Sequence, residues 1–134
     1  MNTIDFLKTL YFGDRYCVDF NIDNKNKEVR IIVNCISRIR SESGEWDYYC
    51  DEDVEMGTVV IYGVNEVILD KTGLTPNEDI YDIYATKIEN DLYKFTIEAS
   101  YIDEEAETTD LTFTVIGEGV YLLDPSNSNI KITS

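Results

Sequence analysis

Hydrophobic residues recur at every second position through most of this chain, a period that predicts β-strands. The clearest run is LYKFTIEASYI, residues 92–102, in which apolar and polar side chains alternate. Residues 80–89 form a similar run, and Asn90-Asp91 between the two runs is typical of a tight hairpin turn. Short runs at such spacing predict a mainly β protein, either an antiparallel β-sandwich or a strongly curved sheet.

A second hairpin is predicted around the turn DNKN, residues 23–26. Residues 15–22 alternate before the turn, and residues 27–40 after it are predicted to form one long strand. Further on, residues 57–69 predict one strand, or two that split near Gly63. The inward faces predicted for the second hairpin consist of Tyr16, Val18, Phe20 and Ile22, and of Val29, Ile31, Val33 and Cys35.

One short helix is predicted near the N-terminus, over residues 3–10. Thr3 is a candidate N-cap, and Ile4 and Leu7 share one side at helical spacing. With 134 residues, 43% of them hydrophobic, the chain is long enough to bury a core without disulfides. We therefore expect a single domain over residues 1–134.

The net charge of −16 limits the partners that this chain can attract. Nucleic acids and anionic membrane surfaces would be repelled, because both are bound through clustered lysine and arginine. Metal ions, basic peptides and basic proteins would be attracted by the same field. The alternative is that the charge only keeps the protein soluble.

Features of the cysteines and of the N-terminus predict a cytoplasmic protein. The three cysteines have no CxxC spacing and cannot all pair within the chain, which favours reduced thiols. The opening MNTIDFLKTLYFGD lacks a basic segment followed by a long apolar run, so no secretion signal is predicted. No stretch approaches the length of a membrane span. An exposed sheet edge could support a homo-oligomer, but the sequence fixes no oligomeric state.

Acidic residues are concentrated in two blocks that contain no lysine or arginine, residues 41–70 and 95–130. These blocks hold most of the 27 acidic residues. A surface that serves only solubility tends to mix its signs, so this separation favours a surface for a basic protein partner.

Residues 42–57, ESGEWDYYCDEDVEMG, are the densest part of the first block and include Trp46, Tyr48 and Tyr49. Aromatic rings among carboxylates suit a lysine- or arginine-rich partner, because the rings supply buried area and cation–π contacts. Alternation along EWDYYC predicts that Trp46 faces the core and Tyr49 the surface. A solvated acidic turn is the alternative. The predicted partner-binding residues are Glu45, Asp47, Tyr49, Asp51, Glu52, Asp53 and Glu55.

A metal site is a weaker interpretation of the same stretch. Asp51, Asp53 and Glu55 have the spacing of the first ligands of a calcium-binding EF-hand loop. That loop needs glycine and glutamate where this chain has Met56 and Tyr62, so weak calcium binding is only an alternative. Zinc is disfavoured because the chain has no histidine, and no metal or other cofactor is predicted.

No enzymatic function is predicted. Without histidine, the usual general base of serine and cysteine nucleophiles is missing, and no nucleophile elbow, P-loop or dinucleotide motif is present. Residues 117–119, GEG, predict a strand bend or bulge. An enzyme would need two carboxylates converging in a cleft, one with a raised pKa. A small-ligand carrier, the remaining alternative, would need a deep apolar cavity within a curved sheet.

Five segments carry a resemblance to a known kind of protein. They are YFGDR at 11–15, ISRIR at 36–40, EWDYYCDEDVEMGTVVIYGV at 45–64, LTPNEDI at 74–80 and YLLDP at 121–125. Together they resemble a family of small bacterial proteins of the immunity-protein type, associated with polymorphic toxins. The resemblance implies a protective or regulatory partner and no active-site residue. We therefore expect a non-enzymatic acidic binding protein that neutralises a basic toxin or binds another basic protein.

Overall fold

A computed structural model describes residues 2–13, 15–38, 53–89, 91–127 and 130–133. Within these ranges the chain forms one short helix and twelve strands in three antiparallel sheets, which confirms the predicted mainly β fold. The elements in chain order are α1 (Thr3–Lys8), β1 (Leu10–Tyr11), β2 (Cys17–Asp23), β3 (Glu28–Val33), β4 (Cys35–Arg38), β5 (Asp53–Glu55), β6 (Thr58–Tyr62), β7 (Glu66–Ile68), β8 (Ile80–Glu89), β9 (Leu92–Ile102), β10 (Thr108–Gly117), β11 (Gly119–Leu123) and β12 (Lys131–Ile132).

The helix α1 is shorter than predicted and has a different cap. Asn2, and not Thr3, is the N-cap, since Asn2 Oδ1 accepts a hydrogen bond from the backbone N–H of Asp5 at 2.8 Å. Its apolar side is as predicted: Leu7 is buried and Ile4 packs against the core.

The hairpin predicted around residues 23–26 forms from β2 and β3, but a bulge changes which side chains of β2 face inward. The register shifts between Cys17 and Asp19. Cys17 is buried before the shift, whereas Tyr16 and Val18 are exposed, and Phe20 packs against the core after it. The predicted inward face is therefore wrong for its first two members, because one extra residue reverses the alternation.

The single strand predicted over residues 27–40 is also wrong. It divides at Asn34 into β3 and β4, which belong to different sheets. The Asn34 side chain accepts a hydrogen bond from the backbone N–H of Tyr16 at 2.9 Å. In a continuous strand that N–H would bond to a backbone carbonyl oxygen, so the Asn34 side chain replaces one backbone hydrogen bond of the strand pair. After the division Ile36 is buried and Cys35 is only half-buried, contrary to the predicted face.

Two corners carry the chain between the larger sheets. Gly63, with φ of +59°, separates β6 from β7 as predicted. Residues 117–119 form the predicted bend, here between β10 and β11. The corners are joined because the backbone N–H of Glu118 donates to the carbonyl oxygen of Tyr62 at 3.0 Å.

One hydrophobic core is shared by the five-stranded sheet, β12-β11-β6-β3-β2, and the four-stranded sheet, β7-β10-β9-β8. Phe20 and Phe113 meet across it with ring centroids 4.8 Å apart. The predicted hairpin of β8 and β9 is confirmed, although Asn90 of its turn lies outside the described residues. This packing, consistent with a sandwich, buries one face of the four-stranded sheet and leaves the other face outside.

Candidate functional site

The outer face of the four-stranded sheet carries a group of acidic and aromatic side chains that lie close together. We call this group the tyrosine–carboxylate face. Its members are Tyr81, Asp82 and Tyr84 of β8, Glu98 of β9 and Asp110 of β10.

Strand register brings these residues together. Asp82 lies directly opposite Glu98, and Asp110 lies opposite Ser100 on the next pair of strands. The register of β8 shifts between Ile80 and Asp82, so Tyr81 is an extra residue at this bulge. Tyr81 and Asp82 are consequently both exposed although they are adjacent in the chain.

Each tyrosine hydroxyl bonds to a carboxylate, on the adjacent strand β9 for Tyr84 and two strands away on β10 for Tyr81. The hydroxyl of Tyr84 donates to Glu98 Oε1 at 3.2 Å, and the hydroxyl of Tyr81 donates to Asp110 Oδ1 at 3.4 Å. Tyr81 is nevertheless 47% exposed and Tyr84 41% exposed. The two rings therefore lie at the surface, where they can contact a partner.

The electrostatics of this face are unfavourable to the protein itself. Asp82 and Glu98 are like charges directly opposite each other in an antiparallel pair, which destabilises a sheet. The pKa of Asp82 is raised, chiefly by partial desolvation and further by the charge of Glu98, against the backbone hydrogen bond from Ile83 that lowers it. A cation placed between these carboxylates would relieve the repulsion.

The same pair bears on whether the protein could be an enzyme. A carboxylate with a raised pKa is present, as acid–base catalysis would require. Asp82 lines a groove beside α1, whereas Glu98 does not line that groove and lies on the open face of the sheet. Acid–base hydrolysis needs two carboxylates that converge inside a cleft. Asp82 and Glu98 do not have this arrangement.

Only two of the seven residues predicted from the sequence lie within the described residues. Asp53 and Glu55 are exposed on β5. The hydroxyl of Ser37 donates to Asp53 Oδ1 at 2.7 Å and accepts from Arg15 Nη2 at 2.9 Å, so Asp53 is already linked to a cation of its own chain. The residues outside the described ranges are Glu45, Asp47, Tyr49, Asp51 and Glu52, together with Trp46, Tyr48 and Cys50.

Sequence reasoning missed the tyrosine–carboxylate face. The alternation of residues 92–102 did place Glu98 on the polar side of its strand. A hairpin without bulges would have set Ile83, not Asp82, opposite Glu98. The register shift between Lys87 and Glu89 produces the observed pairing of Asp82 with Glu98, and the shift between Ile80 and Asp82 makes Tyr81 the extra residue. No residue type in β8 indicates either shift.

Metal binding, thiol chemistry and small-ligand binding find little support in the described residues. No three His, Cys, Asp or Glu side chains of that part of the chain are placed to hold a metal ion. Burial raises the pKa of the Cys17 thiol to about 12, which makes it a poor nucleophile at neutral pH. Cavities of about 280 and 190 Å³ fall below the roughly 300–1,000 Å³ typical of small-molecule pockets. The described part of the chain contains no helix of the length and apolarity that crossing a membrane requires.

Comparison with known proteins identifies the family to which the chain belongs. A family model, described as a family of unknown function (DUF6258), matches residues 1–134. No curated protein and no solved structure matches the chain.

Proposed function

This chain belongs to the DUF6258 family, whose function is unknown, and we propose that it is a non-enzymatic, cytoplasmic protein that binds a basic protein partner. The partner meets an acidic surface on which exposed tyrosines supply contact area. Neutralising a basic toxin, in the manner of an immunity protein, is the form of this function that the resemblance of the five sequence segments favours.

The observation that carries the proposal is the pair of opposed carboxylates, Asp82 and Glu98, flanked by exposed tyrosine rings. The pair opposes the stability of its own sheet, and no lysine or arginine of the described residues forms an ion pair with it. Tyrosine is enriched in protein interfaces because its ring and hydroxyl serve apolar and polar contacts alike. A lysine- or arginine-rich surface would complement both features.

The contrast with the five-stranded sheet supports the assignment to this face. On the outer side of that sheet Arg30 and Glu28 form an ion pair at 3.0 Å, and the hydroxyl of Tyr121 donates to Glu28 Oε2 at 3.1 Å. Lys131 lies 4.6 Å from the centre of the Tyr121 ring. These charges are paired within the chain, so this group has less to offer a charged partner.

The test is a binding experiment with two triple variants that remove the same number of charges. The face variant is Asp82→Asn, Glu98→Gln, Asp110→Asn, and the loop variant is Glu104→Gln, Glu105→Gln, Glu107→Gln in the exposed turn between β9 and β10. Each protein is immobilised and exposed to lysate of the organism that encodes it, at low and at moderate salt. Retained proteins are identified and quantified by mass spectrometry.

We expect one basic protein at nearly equal molar ratio on the wild type and on the loop variant, released as salt rises. Its affinity for the face variant should be at least roughly tenfold lower. Co-expression should then show whether this protein is toxic and whether the wild-type chain, but not the face variant, suppresses the toxicity. Retention of nothing, or of the same mixture of basic proteins on all three, would contradict the proposal.

The seven residues predicted from the sequence remain a second prediction for the same partner. Reversing the charges of Asp53 and Glu55, the two that the structure describes, tests it directly. An unchanged affinity for the identified partner would remove β5 from the interface and leave the tyrosine–carboxylate face as the site.

A further inference from the structure

A groove of about 280 Å³ runs between α1 and the edge strand β8, beside the tyrosine–carboxylate face. Asp82 and Tyr84 line the groove and also belong to that face. Lys8 lines it as well, at the last turn of α1. The apolar walls are the side chains of Ile4, Leu7 and Leu10 and of Ile83 and Ala85.

Asp82 supplies the groove with acceptor capacity. Its Oδ1 accepts a hydrogen bond from the backbone N–H of Ile83 at 2.9 Å, and Oδ2 has no hydrogen-bond partner in the described part of the chain. Lys8 forms no ion pair with Asp82 there, although both line the groove. The carboxylate thus lies exposed at the rim of the groove and forms no ion pair within the described residues.

We propose that this groove is the anchor site for one arginine side chain of the basic partner, an inference that rests on the proposed function. The methylene groups of the arginine pack between the apolar side chains of α1 and β8. Its guanidinium meets Asp82, lies close to the Tyr84 ring and is attracted by Glu98 beyond it.

The dimensions and the charge of the groove favour one basic side chain over the other simple occupants. Its volume of about 280 Å³ is near the lower end of the roughly 300–1,000 Å³ of small-molecule pockets and is enough for a single side chain. An apolar side chain would bury Asp82 further without a partner, and an acidic one would add a third negative charge. Arginine combines an apolar stem with a planar cation that stacks on aromatic rings. The stem can pack against the apolar side chains of the groove while the cation contacts Asp82 and Tyr84. The raised pKa of Asp82 supports the same assignment, because it reports desolvation and repulsion that a cation would offset.

The test uses the whole chain and a small probe, N-acetyl-arginine amide. Its neutral isostere, N-acetyl-citrulline amide, serves as the matched control. Methyl resonances of Leu7, Ile83 and Ala85 are followed by NMR during each titration. We expect saturable shifts of these methyl groups with the arginine probe, and affinity roughly tenfold lower for the citrulline probe.

Three variants separate the groove from the general charge of the protein. Asp82→Asn should weaken the arginine probe by roughly tenfold, because it removes the anion at the rim. Lys8→Gln should strengthen it, because it removes the competing cation. Glu104→Gln, in the turn between β9 and β10, should leave the affinity unchanged.

Failure of the groove can be told from failure of the proposed function. Groove methyl groups that do not shift, or that shift equally with citrulline, would overturn the anchor site. If a basic partner is still lost from the face variant, the proposed function stands and only the anchor is wrong. If the groove binds arginine specifically but the capture experiment finds no basic partner, the proposed function is overturned. The groove would then still be an arginine-binding site.

Discussion

Two carboxylates that face each other on adjacent strands repel each other and destabilise the sheet. Selection for stability alone would be expected to replace at least one of them. Asp82 and Glu98 hold these positions, and Tyr84 bonds to Glu98 without neutralising it. Natural proteins commonly keep such unfavourable arrangements where a ligand or partner needs them. The pair therefore predicts opposite effects of one substitution on stability and on binding.

Asp82→Asn should stabilise the fold at neutral pH by up to about 1 kcal/mol, because it removes the repulsion from Glu98 and keeps the oxygen that accepts from Ile83. The pKa of Asp82 is raised in the folded protein, so its stabilising contribution is complete below the unfolded pKa and is lost as pH rises through the folded pKa. The advantage of the variant should accordingly grow between about pH 3 and about pH 7. Urea unfolding at several pH values measures it.

Removing any negative charge from this chain relieves some general repulsion, so the comparison needs a control. Glu104→Gln removes one charge from an exposed turn without a cross-strand carboxylate opposite it. A gain for Asp82→Asn no larger than for this control, or one that does not vary with pH, would show that the pair is not a strained feature.

At the scale of elements, the corner between β6 and β7 decides whether the chain can pass from one sheet to the other. Gly63 adopts φ of +59°, and an added Cβ there would collide with the side chain of Glu118. Gly73, in the loop before β8, has a similar φ of +74° but open space around it. Comparing alanine substitutions at the two positions therefore separates the effect of backbone strain from the effect of crowding.

Gly63→Ala should lower the free energy of unfolding by about 1–2 kcal/mol, and by more than Gly73→Ala does. Both variants carry the strain of a left-handed alanine, and only the first also displaces Glu118. Urea titrations followed by circular dichroism give the two values. Equal losses would mean that the Glu118 side chain moves aside freely and that the corner tolerates a larger residue.

The elements themselves were largely predictable, because alternation reports which face of a strand is buried. The hairpin of β8 and β9, the division at Gly63 and the bend at 117–119 all follow from local residue patterns. The exceptions have local causes: a bulge near Cys17 reverses the face of β2, and Asn34 divides a strand. The face of the candidate site depends on two further bulges in β8, and bulges are set by packing between strands rather than by residue type.

At the scale of the molecule, the two larger sheets differ in the charges on their outer sides. On the outer side of the five-stranded sheet Arg30 forms an ion pair with Glu28, whereas the outer side of the four-stranded sheet sets Asp82 against Glu98. The sequence could indicate that charges were separated along the chain. It could not indicate which sheet would carry them, because that depends on strand register and on the way the sheets pack.

A chain with a net charge of −16 repels itself, and this repulsion is the general cost of a surface that attracts a basic partner. Added sodium chloride should therefore stabilise the isolated protein while weakening its complex. Between about 0.02 M and about 0.5 M salt we expect the free energy of unfolding to rise by ~1 kcal/mol, or Tm by about 3–5 °C, measured by thermal unfolding.

The association rate with the captured partner should fall over the same range of salt concentration. The face variant should show a smaller fall in rate than the loop variant, since both have the same net charge and differ in where the charge was removed. A complex that strengthened with salt would instead indicate an apolar interface, and the acidic surface would then serve solubility alone.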